Sequence, residues 1–257
     1  LTSSYAGATS IDLSWTASTS SNITKYLIYR STSANATILV DSTSSATTYA
    51  DTDLTHGLTY YYRAKAVDSD GIKSDYSNET STLLATKIGV PGDYSSIQAG
   101  LTAAGTNDTV LVQPGTYTEN IIWPETNGIK LISAGDSSNT IIDGEYQRRV
   151  VRIDGNNSVL KGLTITKGRD SEGSGIYVRN SPTIENCNIV ANGGTDYNYS
   201  INKGAGVYID EYSSPVFINC KIENNKLFSH DNAYGAGVYA RHNSNVTFRN
   251  CSISKNE

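Results

Sequence analysis

Three segments of this chain repeat one pattern: Pro182-Thr-Ile-Glu-Asn-Cys-Asn-Ile189, Pro215-Val-Phe-Ile-Asn-Cys-Lys-Ile222 and Val246-Thr-Phe-Arg-Asn-Cys-Ser-Ile253. The copies align without gaps, and Leu160-Lys-Gly-Leu-Thr-Ile165 fits the same frame one copy earlier. Apolar and polar residues alternate within each copy, which is the period of a β-strand. An internal repeat of this kind predicts a solenoid in which each copy forms part of one coil.

A second short strand precedes each copy. Its members are Val151-Arg-Ile153, Gly175-Ile-Tyr-Val178, Gly206-Val-Tyr-Ile209 and Gly237-Val-Tyr-Ala240. One coil is therefore roughly 24 to 33 residues long. Coils stacked at the strand spacing of about 4.8 Å bring equivalent residues into rows along the solenoid axis. We predict a parallel β-helix over residues 89–257, which continues beyond the last residue of this sequence.

Inward and bend positions follow from the same alignment. We expect two inward rows, made by Ile184, Phe217 and Phe248 and by Ile189, Ile222 and Ile253. Asn186, Asn219 and Asn250 share one position with Gly162. Because Asn and Gly are the residues that best tolerate a left-handed backbone, this position predicts a sharp bend. We expect the Asn side chains to bond to neighbouring coils.

The three cysteines follow that bend. Cys187, Cys220 and Cys251 each come one residue after the Asn, so we expect them to form an inward row of small core side chains. Neither the cysteine spacing nor a histidine cluster indicates a metal site, and we predict no cofactor. A disulfide between adjacent coils is left open, because stacked Cα atoms lie near the lower end of the permitted range.

The alternation also predicts two outward rows of functional interest. One row contains Arg152, Tyr177, Tyr208 and Tyr239, and the next contains Asp154, Arg179, Asp210 and Arg241. We expect the charges to pair along the axis and the rings to form a flat, solvent-facing strip, a surface that suits the C–H face of a sugar. The candidate glycan-binding residues are therefore Tyr177, Tyr208, Tyr239, Arg179, Asp210 and Arg241. The alternative is that both rows only stabilise the sheet through cross-strand contacts.

Two long connections precede the tyrosine-bearing strands. They run from Asn192 to Lys203 and from Asn224 to Tyr234, and they supply Tyr197, Tyr199, His230 and Tyr234. Loops beside a rigid face are frequent sites of binding residues, although either loop could equally be a solvated excursion.

The first part of the chain, residues 1–84, has a different pattern. Short alternating strands such as Tyr60-Tyr-Tyr-Arg-Ala-Lys-Ala-Val67 are separated by turns rich in Ser, Thr, Asp and Gly, which predicts a small antiparallel sandwich. Trp15, Leu54, Gly57 and Tyr60 occur in the order of a fibronectin type III domain, which this stretch resembles. The resemblance implies that Trp15 and Tyr60 are core and corner residues. We interpret the domain as a spacer.

The entry to the second part carries another resemblance. Tyr94, Ile97 and Leu101 recur at helical spacing before the strand Val110-Leu-Val112, and Gln113-Pro-Gly115 and Asn139-Thr-Ile-Ile-Asp-Gly144 follow. This order resembles the entry of the right-handed β-helices of the pectin lyase-like superfamily, with the pectin methylesterase branch nearest. The resemblance implies an all-β fold in which a short N-terminal helix precedes the first strand and caps the core.

The catalytic residues of that superfamily are not recognisable in this sequence. The strand Gly173-Ser-Gly-Ile-Tyr-Val178 lacks the Gln that a pectin methylesterase has there. The Asp cluster and the Gly-His-Gly segment of the polygalacturonases are also missing from this sequence. Asp210 faces two arginines, and the other carboxylate of its row, Asp154, lies two coils away, which does not suit a calcium-dependent lyase.

Composition narrows the function further. A net charge of -5 without a Lys/Arg block argues against a nucleic-acid partner, and no apolar run reaches the length of a membrane span. We predict a noncatalytic, extracellular or cell-surface modular protein that binds a polysaccharide or cell-surface glycan or acts in adhesion. The alternative is a polysaccharide lyase or glycoside hydrolase with active residues outside this sequence. The oligomeric state is left open.

Overall fold

The computed structural model describes residues 1–7, 9–194, 203–228 and 233–257. The chain forms two compact units, Leu1–Thr86 and Lys87–Glu257. None of the helices in the described ranges has the length and apolar character needed to cross a bilayer.

The first unit is an antiparallel sandwich of two sheets. Its strands are β1 Thr2–Gly7, β2 Ser10–Ser14, β3 Ile23–Ser31, β4 Ile38–Thr43, β5 Thr48–Asp51, β6 Thr59–Asp68 and β7 Thr80–Leu83. The sheet orders are β1-β2-β5 and β4-β3-β6-β7. Ile11, Ile28 and Tyr62 are fully buried between the sheets, because alternate residues of each strand point inward. Tyr60 accepts a hydrogen bond on its hydroxyl from the backbone N–H of Thr55, as expected of a corner residue.

The second unit is a stack of parallel coils that form three sheets. The first sheet has the order β8-β9-β12-β15-β18-β21-β24 and contains Lys87–Val90, Thr109–Val112, Lys130–Ser133, Val159–Lys161, Thr183–Glu185, Val216–Ile218 and Thr247–Arg249. The second sheet has the order β10-β13-β16-β19-β22-β25 and contains Gly115–Thr118, Thr140–Asp143, Thr164–Thr166, Asn188–Val190, Lys221–Glu223 and Ser252–Ser254. The third sheet has the order β11-β14-β17-β20-β23 and contains Ile121–Ile122, Val151–Ile153, Ile176–Val178, Val207–Ile209 and Val238–Ala240.

A short helix, α1 Ile97–Ala103, lies at the start of the stack. Ser96 caps its N-terminus by accepting a hydrogen bond from the Ala99 N–H, and the helix buries Ile97 and Leu101. The prediction that this helix precedes the first parallel strand is wrong, because β8 at Lys87–Val90 comes before it and pairs in parallel with β9. The sequence signal was missed because β8 lies outside the repeat frame.

The predicted inward rows are confirmed by the register of the sheets. Ile184 pairs with Phe217 and Ile189 pairs with Ile222, and all four side chains are buried. Phe248 stacks on Phe217 with ring centroids 5.0 Å apart. The three cysteines are unbridged, so the disulfide that the sequence left open is not formed. Burial raises the pKa of Cys187 to about 12 and that of Cys220 to about 11, which makes both thiols unreactive near neutral pH.

The predicted bends are also confirmed. Asn186, Asn219 and Asn250 have φ angles of 53°, 53° and 52°, and Gly162 has a φ of 74°. The Asn219 amide donates to Oδ1 of Asn186 at 3.1 Å, which joins two coils on the exposed side of the bend.

A second asparagine row, which the sequence analysis missed, lies on the inner side of the coils, with Asn192 and Asn225 fully buried and Asn256 partly buried. Asn192, Asn225 and Asn256 follow the cysteines by five residues in each coil. Asn225 donates from Nδ2 to the Ile189 carbonyl at 3.0 Å and to Oδ1 of Asn256 at 2.9 Å, while its Oδ1 accepts the Asn192 N–H at 3.0 Å. Asn192 and Asn225 therefore belong to the coils and not to the long connections in which the sequence analysis placed them.

Candidate functional site

The third sheet carries the predicted aromatic row on its outer face. Parallel pairing aligns Arg152 with Tyr177, Tyr177 with Tyr208, and Tyr208 with Tyr239. The Tyr177 and Tyr208 rings stack with centroids 5.0 Å apart and planes 16° apart, and the Tyr208 and Tyr239 rings stack at 5.5 Å and 25°. The register of the coils therefore builds a continuous column of three phenol rings along the axis.

The expectation that these rings form a flat, solvent-facing strip is wrong at its centre. Tyr208 is only 2% exposed. Because the rings stack along the axis, the neighbours Tyr177 and Tyr239 cover both faces of Tyr208. The column therefore presents ring edges and hydroxyl groups to its surroundings, and burial raises the pKa of the Tyr208 hydroxyl to about 12.

A single carboxylate ties the aromatic row to the charged row. The Tyr177 hydroxyl donates to Oδ2 of Asp210 at 2.7 Å, while Arg179 Nε and Arg241 Nη1 lie 3.4 Å and 3.2 Å from the Asp210 oxygens. Burial alone raises the pKa of this carboxyl, but the hydrogen bonds from Tyr177, the Glu211 backbone and the two arginines outweigh that effect. The pKa of Asp210 is therefore held below its ordinary value of 3.8, and the group is an anion at neutral pH.

The charged row has an inner and an outer layer. The side chains of Asp154 and Asp210 are 10% and 14% exposed, whereas those of Arg179 and Arg241 are 46% and 37% exposed. Arg179 bridges both carboxylates, since its Nη1 lies 3.8 Å from Asp154 Oδ1. The predicted pairing of alternating charges is confirmed, and it places guanidinium groups outermost on this part of the face.

Several residues of this face were not singled out from the sequence. Arg149 lies over the Tyr177 ring at 4.6 Å from its centroid, and Lys203 lies 5.6 Å from the Tyr239 centroid. Lys203 also forms isolated parallel bridges to Glu172 and Tyr234, which adds a third row beside the tyrosines. This row could have been found in the sequence by aligning Gly173, Gly204 and Gly235 as equivalent positions. The residues directly before these glycines are Glu172, Lys203 and Tyr234.

The outer face of the third sheet carries polar and charged groups that can form hydrogen bonds. Its described carboxylates are engaged by arginine or lysine, and no group of three or more His, Cys, Asp or Glu side chains in the described ranges is arranged to hold a metal ion. Tyr197, Tyr199 and His230, which the sequence analysis placed in the long connections, lie outside the described residues. The described groups offer phenol hydroxyls and guanidinium N–H donors in a fixed array.

Stacked parallel coils around one apolar core define the second unit as a β-helix solenoid. The chain belongs to the right-handed β-helix family, whose family model, described as a right-handed β-helix region, matches residues 112–257. The fibronectin type III domain model matches residues 1–83. The predicted order of a fibronectin type III domain followed by a right-handed parallel β-helix is confirmed.

Two curated relatives are named amylopullulanase and chitinase D. The chain is 32% identical to an amylopullulanase of Thermoanaerobacter thermohydrosulfuricus over 129 residues, which are 50% of this chain and 8% of the relative. It is 38% identical to chitinase D of Niallia circulans over 97 residues, which are 37% of this chain and 17% of the relative. The chain thus spans less than a fifth of the length of these relatives.

Two solved structures that are similar to this chain have low TM-scores. Pectate lyase PelI from Erwinia chrysanthemi, solved with tetragalacturonic acid, matches with a TM-score of 0.29 and 14% identity over 96% of this chain and 98% of that chain. A Fn3-like protein from Clostridium thermocellum matches with a TM-score of 0.26 and 27% identity over 29% of this chain and 75% of that chain.

Proposed function

We propose that this protein is a noncatalytic, extracellular or cell-surface modular protein that binds a glycan along the outer face of the third sheet. The observation that carries the proposal is the in-register column of Tyr177, Tyr208 and Tyr239 beside the guanidinium groups of Arg179 and Arg241. A linear glycan is an extended chain of hydroxyl groups, so it suits an extended array of donors that runs along the solenoid axis.

The six residues have two roles in this proposal. Tyr177, Tyr239, Arg179 and Arg241 contact the glycan through ring edges, hydroxyls and guanidinium N–H groups, because part of each side chain is accessible. Tyr208 and Asp210 position them, since Tyr208 separates the two outer rings and Asp210 holds both arginines. The site is preformed, so little conformational entropy is lost on binding.

Relatives named amylopullulanase and chitinase support a carbohydrate ligand. They also favour the alternative, a polysaccharide lyase or glycoside hydrolase whose active residues lie elsewhere in a longer protein. The two functions differ in a simple assay that compares this chain with a longer protein that contains it. If the alternative is right, the longer protein releases reducing ends or unsaturated products from the bound glycan and this chain alone does not; if the protein is noncatalytic, neither releases them.

The test is a glycan array followed by calorimetric titration of the best neutral ligand. Tyr239→Ala and Arg179→Gln are each expected to weaken binding by about fivefold or more, since each removes a contact group from the array. Arg249→Gln is the matched control, because Arg249 is an exposed arginine on the first sheet. The glycan affinity of this variant should equal that of the wild type. If the wild type binds no glycan, or if all three variants bind equally well, the two rows serve only to stabilise the sheet.

A further inference from the structure

The turns that follow strands β14, β17, β20 and β23 lead from the third sheet to the first sheet. Each of these turns contains one residue with a left-handed backbone, and these residues are Asn157, Asn180, Tyr212 and Asn243, with φ angles of 54°, 66°, 56° and 59°. Apart from glycine, asparagine tolerates this conformation best, whereas a bulky aromatic residue is strained in it. Tyr212 is therefore the exception among the four turn residues.

Tyr212 and Asn243 occupy the same position in two turns of equal length. Residues 210–215 and 241–246 form these turns, and the left-handed residue is the third residue of each. The Asn245 N–H donates to the Ser213 carbonyl at 2.9 Å, which keeps the two turns in register on adjacent coils. Because an asparagine builds the same turn one coil later, the fold does not require a tyrosine at position 212.

Burial does not explain the tyrosine either. The Tyr212 side chain is 74% exposed, more than any other large apolar or aromatic side chain in the described ranges. The ring therefore gains little from packing that would offset the strain of its backbone. Strained residues that persist without such a gain are concentrated at binding and catalytic sites.

The backbone beside Tyr212 is fixed by hydrogen bonds. Asp210 Oδ1 accepts the Glu211 N–H at 2.9 Å, and the Ser213 hydroxyl donates to the Glu211 carbonyl at 3.4 Å. Ser213 is fully buried, and the Glu211 carboxylate forms an ion pair with Arg241. Tyr212 therefore projects from a rigid turn, so that little backbone freedom is lost when a ligand binds to its ring.

The turn is continuous with the array of arginines on the third sheet. Arg241 contacts Asp210 through Nη1 at 3.2 Å and Glu211 through Nη2. The residues next to Tyr212 in sequence and on the following coil are polar, and His242 Nε2 lies 2.8 Å from Glu211 Oε2. A protein interface surrounds an aromatic anchor with further apolar side chains. One ring bordered by hydrogen-bonding groups instead suits a sugar, which offers C–H groups to the ring face and hydroxyls to the polar groups.

We infer that Tyr212 is a contact residue of the glycan site and that its ring stacks on one pyranose unit of the bound chain. The inference rests on the proposed function, because it extends the site from the outer face of the third sheet into the adjoining turn. Tyr212 is thus retained for binding at a position where asparagine is the better residue for stability.

The test combines affinity with stability. Isothermal titration calorimetry measures the binding of maltohexaose, chitohexaose and cellohexaose to the wild type and to each variant. Tyr212→Asn should weaken the bound hexasaccharide by about fivefold or more, whereas Tyr212→Phe keeps the ring and should stay within about twofold of the wild type. The melting temperature of Tyr212→Asn should equal or exceed that of the wild type, because asparagine relieves the left-handed strain.

Tyr94→Asn is the matched control, because Tyr94 is an exposed tyrosine that precedes helix α1. This variant should bind the hexasaccharide as the wild type does. Loss of affinity in Tyr239→Ala but not in Tyr212→Asn would overturn the inference, leave the glycan site on the sheet intact and assign the exposed ring to a protein partner. A lower melting temperature of Tyr212→Asn would overturn it as well, since the ring would then stabilise the turn. A wild type that binds none of the three hexasaccharides also overturns the inference, whereas the proposed function is decided separately by the glycan array.

Discussion

At the scale of single residues, position in the coil decides what each side chain does. Tyr208 and Tyr212 are four residues apart, yet Tyr208 is sealed between two rings and Tyr212 is 74% exposed with a φ of 56°. A tyrosine is therefore a packed, buried side chain at position 208 and an exposed turn residue at position 212.

Replacing Tyr208 by alanine should lower the free energy of unfolding by about 2–4 kcal/mol, because the change removes a buried ring from a packed column. Urea unfolding followed by circular dichroism measures the loss. Tyr212→Ala is the control and should change stability by about 0.5 kcal/mol or less. Equal effects of the two substitutions would contradict the buried position of Tyr208.

Asp210 predicts a pH dependence of stability. Because its pKa in the folded protein lies below 3.8, the ionised carboxylate contributes its full stabilisation above that value and loses it as the pH falls through the folded-state pKa. Asp210→Asn cannot ionise, so the stability difference between wild type and variant should shrink as the pH falls from about 5 to about 2. The measurement is urea unfolding at a series of pH values; a difference that stays constant over this range would refute the role assigned to the charge.

At the scale of the coil, the two asparagine rows have different structural roles. The bend row at Asn186, Asn219 and Asn250 adopts the left-handed backbone conformation of the bend, which Gly162 adopts equally well. The inner row at Asn192 and Asn225 instead satisfies buried backbone groups, namely the Ile165 and Ile189 carbonyls and the Asn192 N–H.

Asn225→Ala should therefore lower the free energy of unfolding by about 3–5 kcal/mol, since it leaves several buried polar groups without partners. Asn219→Gly should change it by about 0.5 kcal/mol or less, because glycine adopts the same left-handed bend without strain. Chemical denaturation of the two variants makes the comparison. A larger loss for Asn219→Gly than for Asn225→Ala would show that the two roles have been assigned the wrong way round.

At the scale of the whole molecule, the described residues of each unit form a large apolar core of their own. Ile28 is fully buried in the sandwich core, whereas Ile189 belongs to the core of the β-helix. Each core is made by residues of its own unit, so each unit has its own source of stability.

Ile28→Ala should destabilise the sandwich by about 2–5 kcal/mol and leave the β-helix unchanged. Differential scanning calorimetry of the full chain measures both, and the transition of the sandwich alone should move to lower temperature. Ile189→Ala is the reciprocal control and should move only the other transition. A common shift of both transitions in either variant would mean that the units unfold together.

The sequence by itself determined the solenoid, its bends and its rows. Strict alternation of apolar and polar residues around Ile184 or Tyr177 decides which side chains point inward. Because the repeat has no gaps, the equivalent residues of the other coils point the same way. The buried asparagine row was also within reach of the sequence, because Asn192, Asn225 and Asn256 keep a fixed distance from the cysteines.

Only the tertiary structure decided how accessible each row is. Alternation says that Tyr208 points outward, but whether its ring faces solvent depends on the ring tilt and on both neighbouring coils. The backbone hydrogen bond from Arg169 to the Arg148 carbonyl likewise lies outside the repeat frame, in connections of unequal length between the strands. Side-chain direction is a local property of a strand, so it could be predicted from the sequence. The exposure of a side chain depends on residues that are distant in sequence, so it could not.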